Sequence, residues 1–221
     1  MNKRRANARL YFMDREITQA VAALADWCQT SGIAWHTEAG SRFERYIELL
    51  LHAQKQTNLT GFSTPKQLVE SLFVDSLQIL RVQKPGTSML DIGTGAGFPG
   101  IPIKILCPET EIILVEPRTK RYAFLRLAER ELGLTKLQIH KCRIESLELQ
   151  ETPQMVISKA FAPLPEWLTL TKQWAEHGSA IACLVSQRDW DDVDLSHYGY
   201  QTTGLLNENQ RVYAVVHCSK Q

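Results

Sequence analysis

The sequence has no long apolar run. A membrane-spanning helix needs about 20 consecutive apolar residues, so no membrane segment is expected. The N-terminus, Met1-Asn2-Lys3-Arg4-Arg5, is charged where a secretory signal needs an apolar stretch. An excess of one charge is also missing. Lys and Arg number 25 against 24 Asp and Glu, for a net charge of +1, which excludes a binder that holds nucleic acid by bulk charge alone. Paired cysteines are absent too. Cys28, Cys107, Cys142, Cys183 and Cys218 are scattered and read as free thiols of a reducing compartment. The sequon Asn58-Leu59-Thr60 is therefore expected to stay unglycosylated. His36, His52, His140, His177, His197 and His217 show no metal-ligand spacing. These absences predict a cytoplasmic protein with neither membrane nor metal partners.

What is present fits one globular body. The 221 residues, 44% hydrophobic and 22% charged, can bury one sizeable core and a modest extension. Charge is uneven along the chain. Lys3, Arg4, Arg5 and Arg9 stand without an acid in the first nine residues, and residues 118–143 hold eight Lys and Arg against two acids. Either cluster can meet phosphates or simply be solvated.

Two regimes divide the chain near residue 84. Residues 14–84 are helical in pattern. Ile17, Val21, Leu24, Trp27 and Cys28 recur at helical spacing, as do Phe43, Tyr46, Ile47, Leu50 and Leu51. Thr64 as cap and Pro65 as first residue predict a third helix running to about Leu80. From Ser88 onward strands and helices alternate. Strands are predicted near 88–92, 111–116, 137–141, 154–158, 179–185, 198–206 and 211–217, with helices near 99–107, 118–132 and 164–176. Such alternation implies an α/β doubly wound, seven-stranded, mainly parallel sheet covered on both faces. The last two strands leave no room for a crossover helix, so they are expected to pair antiparallel. Residues 1–84 are read as a helical extension packed on the sheet, and 85–221 as the ligand-binding domain.

The chemical signal is Met89-Leu90-Asp91-Ile92-Gly93-Thr94-Gly95-Ala96-Gly97-Phe98-Pro99-Gly100. A strand enters, the chain turns on glycines, and a helix leaves. Glycines let a ligand approach the backbone, and the helix N-terminus offers unpaired N–H groups. Glu116 ends the next predicted strand, where a carboxylate can accept hydrogen bonds from both ribose hydroxyls of an adenosine. Three readings are compatible: S-adenosylmethionine, a dinucleotide, or a tight turn with no ligand. Gly95 through Gly100 even matches the dinucleotide fingerprint. Asp91 weighs toward S-adenosylmethionine, because a carboxylate at the strand end repels a pyrophosphate and favours an ammonium and a sulfonium.

At these residues the chain resembles the bacterial 16S ribosomal RNA guanine-N7 methyltransferases, the glucose-inhibited division protein B family. The matching stretches run from about Asn58 to Ala162: Asn58-Leu59-Thr60, Asp75-Ser76-Leu77, Asp91 through Pro102, Lys120-Arg121 with Phe124-Leu125, Arg143-Ile144-Glu145, and Ser158-Lys159-Ala160-Phe161-Ala162. The resemblance implies the S-adenosylmethionine-dependent methyltransferase fold and that cofactor. It implies cofactor contacts at Gly93, Phe98, Glu116, Ile144, Glu145 and Lys159, to which the reading of the glycine turn adds Asp91, Gly95 and Gly97. It also implies 16S ribosomal RNA, or a small-subunit assembly particle, as partner, with a guanine of the decoding region as target. The chain departs from the family pattern where an Arg-His pair becomes Ser71-Leu72, a Leu-Lys-Gly-Gln stretch becomes Leu184-Val185-Ser186-Gln187, and a second Arg-His becomes Arg211-Val212. An acidic stretch, Asp189, Asp191, Asp192 and Asp194, follows. Cofactor positions are kept while basic groups at Ser71, Val185 and Val212 are replaced.

Attack by guanine N7 needs no general base, since that atom carries a lone pair and no proton. Alignment of the two reactants is the main requirement. Lys159 and Phe161, just beyond the fourth predicted strand, are the candidate catalytic pair: Lys159 as a polar group at a buried strand end, Phe161 as a stacking surface for a flipped base. Core packing is the competing role for Phe161. Two other functions stay open, a diverged family member with another substrate and a non-catalytic assembly module that keeps the fold.

Overall fold

The computed structural model describes residues 3–55, 59–159 and 161–219, with side chains from Met13 onward. Asn58 of the sequon, Ala160, and the side chains of Lys3, Arg4, Arg5 and Arg9 lie outside the described residues.

Helix α1 (Lys3–Thr30) and helix α2 (Ala39–Gln54) form an antiparallel pair. Ile17, Val21, Leu24 and Cys28 are buried along one stripe of α1, and Phe43, Tyr46, Ile47, Leu50 and Leu51 along one stripe of α2, the spacing that puts residues on a single helical face. Thr64 caps the next helix as its sequence predicts, accepting from the Gln67 N–H at 3.3 Å. That helix is not continuous to Leu80. It runs as α3 (Pro65–Leu68), a π turn (Val69–Phe73), α4 (Val74–Leu77) and α5 (Ile79–Val82). A π turn inserts one residue into the ladder, and no glycine or proline marks it here. Its compensation is tertiary, because the Ser71 carbonyl and the Asp75 carboxylate both reach Lys159.

Seven strands follow: β1 (Ser88–Ile92), β2 (Glu111–Val115), β3 (Leu137–His140), β4 (Met155–Ile157), β5 (Ala180–Ser186), β6 (Tyr200–Glu208) and β7 (Arg211–Cys218). Helix α6 (Gly100–Leu106) follows β1, α7 (Thr119–Glu131) follows β2, and α8 (Leu164–Glu176) follows β4. A short α9 (Gln187–Asp191), capped by Ser186, follows β5. The strand order is β3-β2-β1-β4-β5-β7-β6. The first five strands are parallel, and β7 runs antiparallel between β5 and β6. Asn209 and Gln210 make the β6–β7 turn with φ of 52° and 62°, as a two-residue hairpin requires.

Side chains alternate between the two faces with the period of the strand. Met89, Ile112, Leu114, Met155, Ile157, Ala182, Leu184, Tyr213 and Val215 join the core shared with α1–α7. Leu90, Ile92, Ile113, Val115, Val156, Ile181, Cys183, Val212 and Ala214 pack on α8. Each fully buried Leu, Ile or Phe contributes roughly 1.5–3 kcal/mol. The helices before β1 and one sheet face therefore share a single core. The order of strands reverses between β1 and β4, and at such a switch point the carboxyl ends of the strands leave a crevice.

Candidate functional site

The crevice is floored by the turn between β1 and α6. The N–H groups of Gly93 and Thr94 both donate to the Val115 carbonyl at 2.9 and 3.2 Å, which stitches the turn to the end of β2. Asp91 lies on the α6 side of β1 and is completely buried. Its Oδ2 accepts from Thr94 Oγ1 at 2.6 Å and from the Gly100 N–H at 2.8 Å, while Oδ1 has no hydrogen-bond partner. Burial pushes the Asp91 carboxyl up to about 7, against the pull of the Thr94 and Gly100 donors. The far side of the turn is braced from α2, where the Tyr46 hydroxyl donates to the Ala96 carbonyl at 2.5 Å. At Gly97, with φ of 100°, an added Cβ would stand 2.7 Å from that hydroxyl and closer still to Ile101. Only glycine fits there.

Glu116 sits at the end of β2 and is 2% exposed. Oε2 accepts from the Gly95 N–H at 3.0 Å, Oε1 accepts from the Arg118 N–H at 2.8 Å, and Arg121 lies 3.8 Å away. Each oxygen keeps a second lone pair for a ligand donor. Phe98, at the end of the turn, is buried and stacks on Tyr46 at 5.6 Å between centroids.

Beyond β4, Lys159 is held in a polar cluster. Its ammonium pairs with Asp75 Oδ2 at 2.7 Å, donates to the Ser71 carbonyl at 3.3 Å, and stands 5.9 Å over the Phe98 ring. Burial holds its pKa below the ordinary lysine value, with Asp75 opposing. Phe161 is 42% exposed, so core packing is not its role. The ring lies over Gly93, where an added Cβ would collide with it, and meets Trp167 edge-on at 6.4 Å.

Asp91, Gly93, Gly95, Gly97, Phe98, Glu116, Lys159 and Phe161 are thus brought to one crevice. Ile144 and Glu145 are placed differently. They open a single helical turn, Ile144–Ser146, after β3; the Ile144 side chain is buried against the α8 face, and Glu145 is exposed. Both line a separate pocket of about 320 Å³ with Trp174 of α8. Val212, where the family pattern has a histidine, is completely buried in the core. Val185 instead lines a pocket of about 280 Å³ with Ser158, Pro163, Trp167, Asp189 and Arg211.

Sequence reasoning missed Tyr46, Asp75 and Tyr213. Tyr46 was hidden in an apolar stripe, although a buried hydroxyl demands a partner. Asp75 had a clearer signal, a carboxylate two residues from each of Phe73 and Leu77 on a buried stretch. Among the described residues no group of three or more metal-type ligands occurs, and no helix is long and apolar enough to cross a membrane.

The residues present fit S-adenosylmethionine. The turn 91–100 carries one carboxylate and no cationic side chain, and the buried, unpaired Asp91 Oδ1 suits a cationic ligand rather than a pyrophosphate. Comparison with known proteins agrees. The family described as GidB, rRNA small subunit methyltransferase G, matches residues 40–217. A ribosomal RNA small subunit methyltransferase G of Wolinella succinogenes is 40% identical over 183 residues, covering 83% of this chain and 93% of the relative. That of Myxococcus xanthus is 32% identical, covering 76% and 79%. Among solved structures, a ribosomal protein L11 methylase from Lactobacillus delbrueckii subsp. bulgaricus superposes with a TM-score of 0.55 at 12% identity, over 72% of this chain and 81% of that one. A SAM-dependent methyltransferase from Aquifex aeolicus gives 0.53 at 17% identity, over 72% and 95%. These structural likenesses speak to the fold alone.

Proposed function

This chain belongs to the rRNA small subunit methyltransferase G family, and on that premise we propose that it transfers a methyl group from S-adenosylmethionine to N7 of a guanine in the decoding region of 16S ribosomal RNA. The observation that carries the reading is the junction of the glycine turn and the β2 carboxylate, the Gly95 N–H to Glu116 contact, at the switch point between β1 and β4. The proposed partner is 16S RNA or a small-subunit assembly particle, met in the cytoplasm.

S-adenosylmethionine, when bound, supplies an electrophilic methyl on a sulfonium. The chain has four tasks around it. Glu116 accepts the ribose hydroxyls on its spare lone pairs. Gly93, Gly95, Gly97 and Phe98 give close backbone approach, and Ile144 and Glu145, which line a separate pocket, are assigned no cofactor contact. Asp91 adds negative potential beneath the turn. Lys159 and Phe161 frame the guanine, with Phe161 as the exposed stacking surface. No side chain has to remove a proton, because N7 has none. The work is alignment, and fixing two reactants in line lowers the barrier by several kcal/mol. Residues 1–84 serve as a helical extension that braces the turn through Tyr46, and residues 85–221 as the cofactor-binding domain.

The test is mass mapping of 16S RNA from cells lacking the gene, with return of the gene as control. The expected result is one missing N7-methylguanine that the gene restores. An unchanged methylation map would overturn the reading and favour a diverged relative with another substrate, for which Val185 in the Arg211 pocket is the specific pointer.

A further inference from the structure

We propose that Asp75 is the positioning residue of the methyl-transfer site, one carboxylate on the helical arm that fixes Lys159 and Arg211 and cancels one of their two charges. The proposal rests on the function proposed above and deepens it.

Asp75 is 6% exposed, on the helical turn that follows the π turn. Its Oδ2 pairs with Lys159 at 2.7 Å, and its Oδ1 faces Arg211 Nε at 3.0 Å and accepts from the Tyr213 hydroxyl at 2.6 Å. Three elements converge on it: the arm, the end of β4, and β7 at two positions. A carboxylate withdrawn from water this far is costly unless cations and donors surround it. Here two cations stand at ion-pair distance and a phenol donates a hydrogen bond. Arg211 Nε stands 3.0 Å from Asp75 as an ion pair, buried and without a hydrogen bond of its own, and the two terminal nitrogens make no hydrogen bond among the described residues. They belong to a side chain that is 41% exposed and lines the 280 Å³ pocket beside Ser158, Trp167 and Val185. Arg211 thus lines that pocket with its terminal nitrogens unpaired, and a guanidinium fork matches guanine O6 or a phosphate.

Charge explains why one carboxylate serves two cations. The methyl donor is cationic, and so is a guanine methylated at N7. Two unneutralised cations in the same crevice would oppose both. Asp75 leaves a single net positive charge. It keeps Lys159 as a hydrogen-bond donor beside Phe98 and leaves Arg211 for the RNA. Lys159 and Arg211 are the two cations at ion-pair distance from Asp75 among the described residues, so their placement depends on it.

The experiment compares wild type with Asp75→Asn and Tyr213→Phe, using purified full-length protein and small-subunit particles from the gene-deleted strain. Three readouts are taken: kcat and KM for the particle, the pH profile of kcat, and the pH dependence of Lys159 acylation by an amine reagent, followed by mass spectrometry. The charged and titratable groups facing Lys159 are Asp75 of the arm and Arg211 and Tyr213 of β7. Losing Asp75 removes the group that holds up the Lys159 pKa, while Arg211 and burial still press it down. Asp75→Asn is therefore expected to lower kcat at least 30-fold and to raise KM several-fold. It should move both the alkaline limb of the profile and the Lys159 acylation midpoint to lower pH by about one unit or more. Tyr213→Phe removes one hydrogen bond and keeps the carboxylate, so it should fold normally and lose only a few-fold in kcat. An unshifted Lys159 midpoint in either folded Asp75→Asn or, should that variant not fold, an unchanged kcat in Tyr213→Phe would overturn the proposal and leave Asp75 a staple between arm and sheet. A wild-type protein that methylates no particle, with the acylation shift intact, would instead sink the proposed function while leaving the positioning role standing.

Discussion

At Asp91, burial raises the carboxyl to about 7 from the ordinary value of 3.8. A carboxyl that is harder to ionise in the folded state than in the unfolded one gives stability that is fully present below about pH 4 and lost as the pH climbs through 7. Wild-type protein should therefore lose up to a few kcal/mol of unfolding free energy from this group between about pH 5 and pH 8. Asp91→Asn keeps an oxygen for the Thr94 hydroxyl and the Gly100 N–H and cannot ionise. Urea unfolding at both pH values should show the mutant with a visibly flatter dependence; equal slopes would mean Asp91 does not titrate in this range. Glu116 gives a second expectation at the same scale. Hydrogen bonds to a charged acceptor are worth about 1.5–3 kcal/mol against about 0.5–1.5 for neutral ones. Glu116→Gln should thus weaken S-adenosylmethionine binding by roughly tenfold in calorimetry on folded protein. It also turns an amide N–H₂ toward either the Gly95 or the Arg118 N–H, at a cost of about 1–3 kcal/mol in stability. Unchanged affinity would remove Glu116 from the site.

The turn between β1 and α6 behaves as an element whose glycines are not equivalent. Gly95 has φ of 62° and open space, with Arg121 3.6 Å from an added Cβ. Gly97 has φ of 100° and is walled by Tyr46 and Ile101. Gly95→Ala should cost about 1–2 kcal/mol, the penalty of a left-handed residue. Gly97→Ala adds overpacking of about 1–3 kcal/mol to that strain. Chemical denaturation should rank Gly97→Ala as clearly the worse; the reverse order would show that the Tyr46 brace yields freely. This turn was legible in the sequence because everything it needs is local: a strand, glycines and a helix start within twelve residues, and one acid a strand later. The π turn was not legible. Val69, Glu70, Ser71, Leu72 and Phe73 carry no glycine or proline, and their departure from α geometry is compensated by Lys159, 88 positions from Ser71. Asp75 escaped for the same reason, since its hydroxyl partner Tyr213 stands 138 positions away. Local periodicity reports which face of an element is buried, but not which distant charge meets it.

At the scale of the whole molecule, the division at residue 84 is one of pattern more than of packing. Ile17, Leu24, Phe43, Leu50, Phe73, Met89, Ile101, Leu114 and Tyr213 belong to one core. A chain of residues 85–221 alone would expose the part of that core covered by the helices before β1 and lose the Tyr46 brace on the glycine turn. It should show no cooperative thermal transition and no S-adenosylmethionine binding, by near-ultraviolet dichroism and calorimetry. A stable, ligand-binding fragment would establish the two parts as independent. The alternation of strands and helices disclosed the sheet, because a parallel sheet forces that rhythm on its sequence. The two-residue turn makes β6 and β7 neighbours, but it does not decide which of them pairs with β5, so the insertion of β7 between β5 and β6 was not legible in the sequence.

The contact between Asp75 and β7 has a further meaning when the chain is considered in the order in which it is made. Arg211 and Tyr213 are the partners that orient the carboxylate, and both are synthesised long after it. The glycine turn, Glu116 and Lys159 all precede β7 in the chain, and without that strand the charge cluster is one-sided. Only with β7 in place between β5 and β6 is the cluster complete. A cluster built from residues 138 positions apart makes its own completeness a reporter of the whole fold, because no local segment can assemble it.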